Sequence, residues 1–415
     1  MKRVSAGIFL MFSFILSAEA QHYCDTHLYT RAQAENNPLT ADRMKWLETF
    51  ISQKQQAAGF RKGNEKMVIV IPVVFHVLYH TASQNISDEQ LHSQLKVLND
   101  AFRRASADTV NTPERFRELA ADCAIEFKLA ISDPRRRSTS GIIRKYTPVE
   151  VWDADDKMKF ASEMGADGWD SRQYLNIWVC SLRRTLGYAS FPAGDPRLDG
   201  MVLHNSIVGP NKHSSFGEGK VAVHEVGHWL GLRHIWGDDY CGDDGIDDTP
   251  TQAGFTNGCP SGIRMSCGSG AAGDMYMNYM DLTNDACINL FTEGQSERMR
   301  SMFEAGGPRA EIPLSVGLQT PLIQEIPVDE LPPRWLRPNL YPNPATAQIT
   351  IDLAYDARWV GNNLSIMNME GRRMMLLNIT SVTQTIDISR LKPGIYLVSS
   401  HRKDGEFWQQ KLVVR

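Results

Sequence analysis

Between positions 224 and 234 the chain reads His-Glu-Val-Gly-His-Trp-Leu-Gly-Leu-Arg-His, and no other stretch limits its fold as much. His224 and His228 stand four apart, so on an α-helix their imidazoles leave one face a turn apart. Both can then reach one ion at the roughly 2.0–2.1 Å of a zinc–nitrogen bond. Glu225, one step round the helix, is placed to reach a water on that ion and not the ion itself. Continued as a helix, the chain would carry His234 about 15 Å beyond His224, too far to share the ion. The spacing therefore predicts a turn at Gly231, which can take the positive φ of a helix C-terminus. Three neutral imidazoles leave a fourth position open, the arrangement of a reactive zinc site. A chance H-E-x-x-H is the bland alternative, and Gly231 with His234 makes coincidence remote. Apolar Val221, Val223, Val226, Trp229 and Leu230 predict that the helix is buried.

At 415 residues the chain exceeds one ordinary core, so two or three domains are expected. Its 44 basic and 48 acidic residues include no basic block, which argues against nucleic acid as a partner. Lys2 and Arg3 precede a short apolar run, 6–16, that ends in Ser17-Ala18-Glu19-Ala20. This is the layout of a signal peptide over 1–20, so export with Gln21 as first residue is expected. No later run is long and apolar enough to span a membrane, and a soluble monomer is expected. Of 7 cysteines, Cys241, Cys259, Cys267 and Cys287 cluster after the histidine helix, and the four allow three pairings. Cys123 and Cys180 can be a further disulfide or buried thiols, and Cys24 stands apart.

Residues 21–61 are polar, with one amphipathic helical stretch over 40–56 and no obvious strand. The run 67–79, MVIVIPVVFHVLY, reads as a strand. Ser-Asp-Glu-Gln from Ser87 opens a helix to about Arg104, with Leu91, Leu95, Leu98 and Phe102 at helical spacing. Further strands are expected over 124–131, 175–180, 187–191 and 200–203. The stretch 237–273 is rich in Gly, Asp, Asn and Cys and reads as loop. Prolines mark 307–338 as a linker. From 339 to 415 short alternating runs between turn signals suggest a small β-sandwich.

Three further segments make the region 67–305 resemble a metzincin of the pappalysin family. They are Asp244-Gly-Ile-Asp-Asp248-Thr249-Pro250, Asn278-Tyr279-Met280-Asp281 and Phe291-Thr-Glu-Gly-Gln295. The resemblance implies an α/β catalytic domain over 62–306, with a mixed sheet, the active-site helix and an irregular lower subdomain. It implies Met280 beneath the imidazoles as a hydrophobic base, and disulfides Cys241–Cys267 and Cys259–Cys287. It also implies calcium at Asp244, Asp248 and the main-chain oxygen of Thr249, with Asp243 and Asp247 as weaker candidates; a solvated acidic loop is the alternative. Finally, it implies that Cys24, in a propeptide over 21–61, fills the open zinc position and keeps a zymogen latent. The sequence departs from the metzincin pattern at Leu282, where many members carry a tyrosine that stabilises the tetrahedral intermediate. Leu340-Tyr-Pro-Asn-Pro344, Gly394-Ile-Tyr396-Leu-Val and the final Lys411-Leu-Val-Val-Arg415 resemble a type IX secretion sorting domain. That likeness implies passage through this machinery to the surface, or release from the surface, of a Gram-negative bacterium.

The expectation is thus a secreted zinc endopeptidase acting on proteins or peptides, with Glu225 as general base toward the zinc-bound water. An extended substrate would lie along the edge strand at Gly187, Tyr188 and Ala189. Cleavage before Arg or Lys follows from the likeness, with Phe60-Arg61-Lys62 as a self-cleavage site. Two rivals are a surface adhesin with a structural zinc and an amidase acting on small or cell-wall amides; the intact Glu225 argues against the adhesin.

Overall fold

A computed structural model describes residues 22–58, 66–192, 194–211, 215–323, 338–353, 359–381, 383–402 and 405–415. The expected signal peptide and the Phe60-Arg61-Lys62 site lie outside the described residues. The first unit runs β1 (His22–Cys24), α1 (Thr26–Asn36), α2 (Pro38–Ala58), β2 (Ile69–Tyr79), α3 (Asp88–Phe102) and the short α4 (Glu114–Arg117). It continues with β3 (Ile125–Leu129), β4 (Ile142–Tyr146), β5 (Leu175–Cys180), β6 (Thr185–Ala189), β7 (Met201–His204), α5 (Lys220–Trp229) and α6 (Glu293–Ser301). Its seven strands form one mixed sheet in the order β1-β6-β7-β5-β2-β3, with β4 also paired to β2.

The two-residue period of the strands sorts side chains between two cores. Val73, Phe75, Val77, Ile177 and Val179 join the helix-side core with Leu91, Leu98 and Phe102 of α3 and Val223 and Val226 of α5. On the opposite face Trp178, Cys180, Tyr188 and Val202 pack with Trp152 and Met158. Helix α3 starts where its capping residue predicts, because Ser87 Oγ accepts the Gln90 N–H. Its buried Gln94 then clamps the loop entering α5, donating to the Gly219 carbonyl at 2.9 Å and accepting from Gly209 N at 2.7 Å.

Several elements differ from the sequence reading. Strand β1 and helix α1 fall within the stretch that reads as strandless. Three residues with a polar flank carry no period of their own, and β1 exists only through its parallel pairing to β6. Strand β4 is likewise too short and too polar at its end to announce itself. Residues 307–323, expected as the start of a linker, pack on the catalytic body. Arg309 is buried against Trp229 and Asp199, Ile312 enters the core, and Gly317 accepts the N–H of Ile131. Pro313 sits in the first turn of a short 3-10 helix, Ile312–Leu314, where a proline is tolerated and does not prevent packing.

The loop region after α5 is pinned by the pairs Cys241–Cys267 and Cys259–Cys287, with Cα separations of 5.5 and 5.7 Å. Closing loops of this length stabilises a fold by roughly 3–4 kcal/mol each in the chain-entropy account. Cys123 and Cys180 are separate buried free thiols.

The C-terminal residues form two antiparallel sheets. One contains β10 (Asn363–Asn368), β11 (Arg373–Asn378), β13 (Gly394–His401) and β14 (Phe407–Val414). The other contains β8 (Asn339–Tyr341), β9 (Gln348–Asp352) and β12 (Thr383–Asp387). Ile349, Ile351, Leu364, Ile366, Val398 and Leu412 close a separate core, giving the expected β-sandwich.

Candidate metal centre

Helix α5 is buried along its whole length, and its end is built by Gly231. With φ at +87°, Gly231 donates to the His228 carbonyl and Leu232 donates to the Gly227 carbonyl, a Schellman stop. The reversed chain brings His234 back to the helix. Its ring lies 4.6 Å from that of His228 and 5.1 Å from that of His224. The three Nε2 atoms face one another, 3.1 and 3.2 Å from His228 to His224 and His234.

Each outer ring nitrogen has an acceptor. His224 Nδ1 faces the Tyr279 carbonyl at 2.7 Å, His228 Nδ1 the Leu232 carbonyl at 2.9 Å, and His234 Nδ1 the carboxylate of Asp238. Those partners hold the protons on Nδ1 and leave three Nε2 lone pairs converging. Burial and the neighbouring rings push His228 down to about 3 and His224 well below its ordinary value, so both stay neutral. Three ring nitrogens converging in this way fit a cation. Cys24 Sγ completes the group, since all four donor atoms lie within 4.8 Å of one another. Among the described residues no other such cluster of His, Cys, Asp and Glu occurs.

Met280 lies under this helix, and its close approach depends on Gly227. A Cβ at 227 would stand 2.5 Å from the Met280 sulfur. Tyr279 is buried against Phe291, away from the centre, and Leu282 packs on the core as an apolar side chain.

Glu225 is fully buried, and burial raises its carboxyl to about 8. Gly187 of β6 leans on it: a Cβ there would sit 3.2 Å from both Glu225 Cγ and Oε1. Strand β1 occupies the β6 edge, with Cys24 opposite Gly187. Thr26 then donates its hydroxyl to Glu225 Oε2 at 2.8 Å while accepting the Ala189 N–H at 2.8 Å. Residues 23–26 thus engage the imidazoles, the carboxylate and the main chain of Gly187 and Ala189 at once.

The segment after His234, where the resemblance implies calcium, is held by hydrogen bonds to its own carboxylates. Asp244 Oδ1 accepts from Ile246 N and the Thr249 hydroxyl, while Asp244 Oδ2 is buried with no partner among the described residues. Both oxygens of Asp248 are committed to the start of α6, taking the Thr292 hydroxyl at 2.6 Å and Gly294 N at 2.9 Å. Asp243 caps its own turn at Gly245.

Sequence reasoning missed Thr26, Asp238, Asp285 and Tyr23. Asp285 accepts the N–H groups of Glu218 and Lys220 at the N-terminus of α5 through Oδ2, and its Oδ1 is buried without a partner. Tyr23 is buried beside the centre, its ring 4.8 Å from Phe216 and 5.2 Å from His224. Burial, then the charge of Asp285, pushes its phenol well above the ordinary value. An aspartate five residues beyond Met280 has no spacing rule that would have singled it out.

Three imidazoles on a terminated helix, a carboxylate beside them and a methionine turn beneath define a metallopeptidase of metzincin architecture. Comparison with known proteins supplies the family. Residues 159–304 match the family described as Pregnancy-associated plasma protein-A, and residues 339–415 match the secretion system C-terminal sorting domain. An extracellular metalloprotease of Pyricularia oryzae is 46% identical over 263 residues, covering 61% of this chain and 81% of the relative. The structure of a Tannerella forsythia promirolysin mutant is 44% identical with a TM-score of 0.65, covering 71% of this chain and 97% of that one. Mature mirolysin of the same organism, in complex with a cleaved peptide, is 48% identical with a TM-score of 0.59, covering 60% and 97%. The chain belongs to the pappalysin family of secreted metallopeptidases, with a tail for type IX secretion to the cell surface or the extracellular space. No helix among the described residues is long and apolar enough to cross a membrane.

Proposed function

We propose that the protein is a zinc endopeptidase made as a latent zymogen, in which His224, His228 and His234 hold the metal and Glu225 is the general base. The observation that carries this is the convergence of three imidazole Nε2 atoms beside a buried carboxylate. Bound there, zinc would supply a Lewis acid for the scissile carbonyl and acidify a water toward a pKa of about 7. Glu225 takes the proton of the attacking water and returns it to the leaving amine. The main chain of Gly187 and Ala189 holds an extended peptide once the segment around Cys24 withdraws. Leu282 offers no hydroxyl, so the chain's own help to the developing oxyanion is limited to main-chain donors.

The pocket of Tyr23 supports cleavage before Arg or Lys. When Tyr23 leaves, Asp285 Oδ1 faces an opening beside His224 with no partner, and a basic side chain satisfies it. The latent state rests on Cys24, with residues 21–61 as the propeptide. Calcium has narrower support: Asp244 Oδ2 is free to bind a cation, whereas Asp248 is occupied as a helix cap.

The test is a digest of denatured protein with and without a chelator, with every cut mapped. Chelation abolishes hydrolysis, zinc restores it, and cuts fall before Arg and Lys. In Asp285→Asn the basic preference drops by about 10- to 100-fold. Undiminished cutting under chelation overturns the metal reading, and random cut sites overturn the specificity alone. Gly187→Ala displaces Glu225 by a few tenths of an ångström, and kcat falls by about tenfold or more with little change in melting temperature. Wild-type kcat in that variant would show that the close approach is unimportant.

A further inference from the structure

One turn beyond Thr26 along α1, Tyr29 reaches through the edge of the sheet into a second buried polar site. Its hydroxyl donates to Asp156 Oδ2 at 2.8 Å, and Gln33 Nε2 touches the same oxygen at 3.4 Å. The other oxygen, Oδ1, takes Lys159 Nζ at 2.8 Å and the Tyr188 hydroxyl at 3.1 Å. Asp156 is 4% exposed and Lys159 1% exposed. The walls are aromatic. Tyr29 lies 4.9 Å from the ring of Tyr188, and Lys159 Nζ sits 5.1 to 5.4 Å from the rings of Tyr188, Tyr29 and Trp178. Tyr29 and Gln33 also line a groove shared with Ser190, Phe191 and Leu198 of the catalytic body.

The partners divide by origin. Lys159 and Tyr188 belong to the catalytic body, while Tyr29 and Gln33, which hold Oδ2, belong to the segment that departs on maturation. Departure removes both donors from Oδ2, at the end of a slot shaped for an aromatic ring. A cationic side chain is a poor replacement, because Lys159 already balances Asp156 and would repel it. A phenylalanine fills the slot but leaves the oxygen bare. A phenol meets both demands, and burial with Asp156 nearby keeps the phenols here protonated and able to donate.

We propose that this socket, formed by Asp156, Lys159, Tyr188 and Trp178, is a substrate subsite of the processed enzyme that selects a tyrosine side chain of the bound peptide. Tyr29 occupies it in the zymogen as a surrogate. The proposal rests on the reading of residues 21–61 as a removable propeptide of a peptidase, and it adds a second specificity element to the Asp285 pocket.

The experiment compares peptides that differ only by Tyr or Phe at one position, scanned on both sides of the scissile bond, on the processed enzyme. At one position kcat/KM is expected to favour Tyr by about 10- to 100-fold, the cost of leaving a buried charged acceptor unpaired. In Asp156→Asn/Lys159→Met, which replaces the ion pair by neutral groups of similar size, that ratio falls to about one. Ratios below about threefold at every position in the wild type overturn the proposal, whether or not the double variant folds. Binding of N-acetyl-tyrosinamide against N-acetyl-phenylalaninamide to the processed protein, read by saturation-transfer NMR, runs in parallel. Preferred binding of the tyrosine compound without any peptide cleavage means that the peptidase reading has failed and the socket stands. Cleavage with no preference in either assay means the reverse.

Discussion

Glu225→Ala will give a protein that folds, carries about one zinc per chain and hydrolyses nothing measurable, with kcat down by about 10²–10⁴-fold or more. The side chain contributes little to holding the fold. Its carboxylate meets the Thr26 hydroxyl and the Cys24 thiol, both from the departing segment. Removing a buried carboxylate raised to about 8 also lifts a desolvation cost, so thermal stability should hold or rise. The three imidazoles are oriented from outside by the Tyr279 and Leu232 carbonyls and by Asp238, none of which depends on Glu225. Metal content by elemental analysis, melting temperature and hydrolysis of denatured protein are the three readouts. The adhesin alternative anticipates full function in this variant, since a structural zinc has no need of a base. Retained proteolysis with zinc in place would remove Glu225 from the mechanism.

The sequence displayed the reactive half of this centre and concealed the inhibitory half, for a physical reason. His224, Glu225, His228, Gly231 and His234 lie within eleven residues, so helix periodicity and one glycine conformation place them all. Strand β2 and helix α3 were equally legible, one through its β-branched run and the other through its Ser87 cap and leucine spacing. Thr26, Tyr23 and Asp285 meet the centre across separations that no local period encodes. The contact between Thr26 and Glu225 spans 199 residues, and that between Tyr29 and Asp156 spans 127. Asp248 shows a second way in which local sequence is incomplete. Its acidic setting suits a cation, and it also meets the start of α6, 44 and 46 residues on, because a helix N-terminus offers N–H donors to a nearby carboxylate. The C-terminal sandwich was visible as alternation and turn residues, although β11 and β14 needed their partners to define them.

Cys24→Ala is expected to convert the latent protein into one that processes itself faster by at least about 30-fold. Cys24 is held in place for a metal, with its sulfur accepting the Thr26 N–H at 3.3 Å and lying within 4.8 Å of the three Nε2 atoms. At 1.4 kcal/mol per factor of ten, losing even about 2–3 kcal/mol of zinc–sulfur attraction raises the open population roughly 30- to 140-fold. The remaining anchors prevent complete release. Thr26 still covers Glu225, Tyr29 still fills its socket, and Glu48 of α2 still pairs with Arg298 at 2.7 Å and Arg233 at 2.8 Å. Burial alone would raise the Glu48 carboxyl, but those two guanidinium groups outweigh it and hold it below its ordinary value. That pairing therefore contributes to docking above the ordinary carboxylate range and is lost only as pH falls through the lowered pKa. At neutral pH the helices stay docked, so the variant isolates the sulfur. The half-life of the full-length form, followed by intact mass, gives the rate. Alkylation of the wild-type zymogen gives an independent check, because Cys24 should resist maleimide until a chelator is added. Equal processing rates in variant and wild type, together with equal alkylation before and after chelation, would mean that the thiol stands beside the imidazoles without binding what they bind.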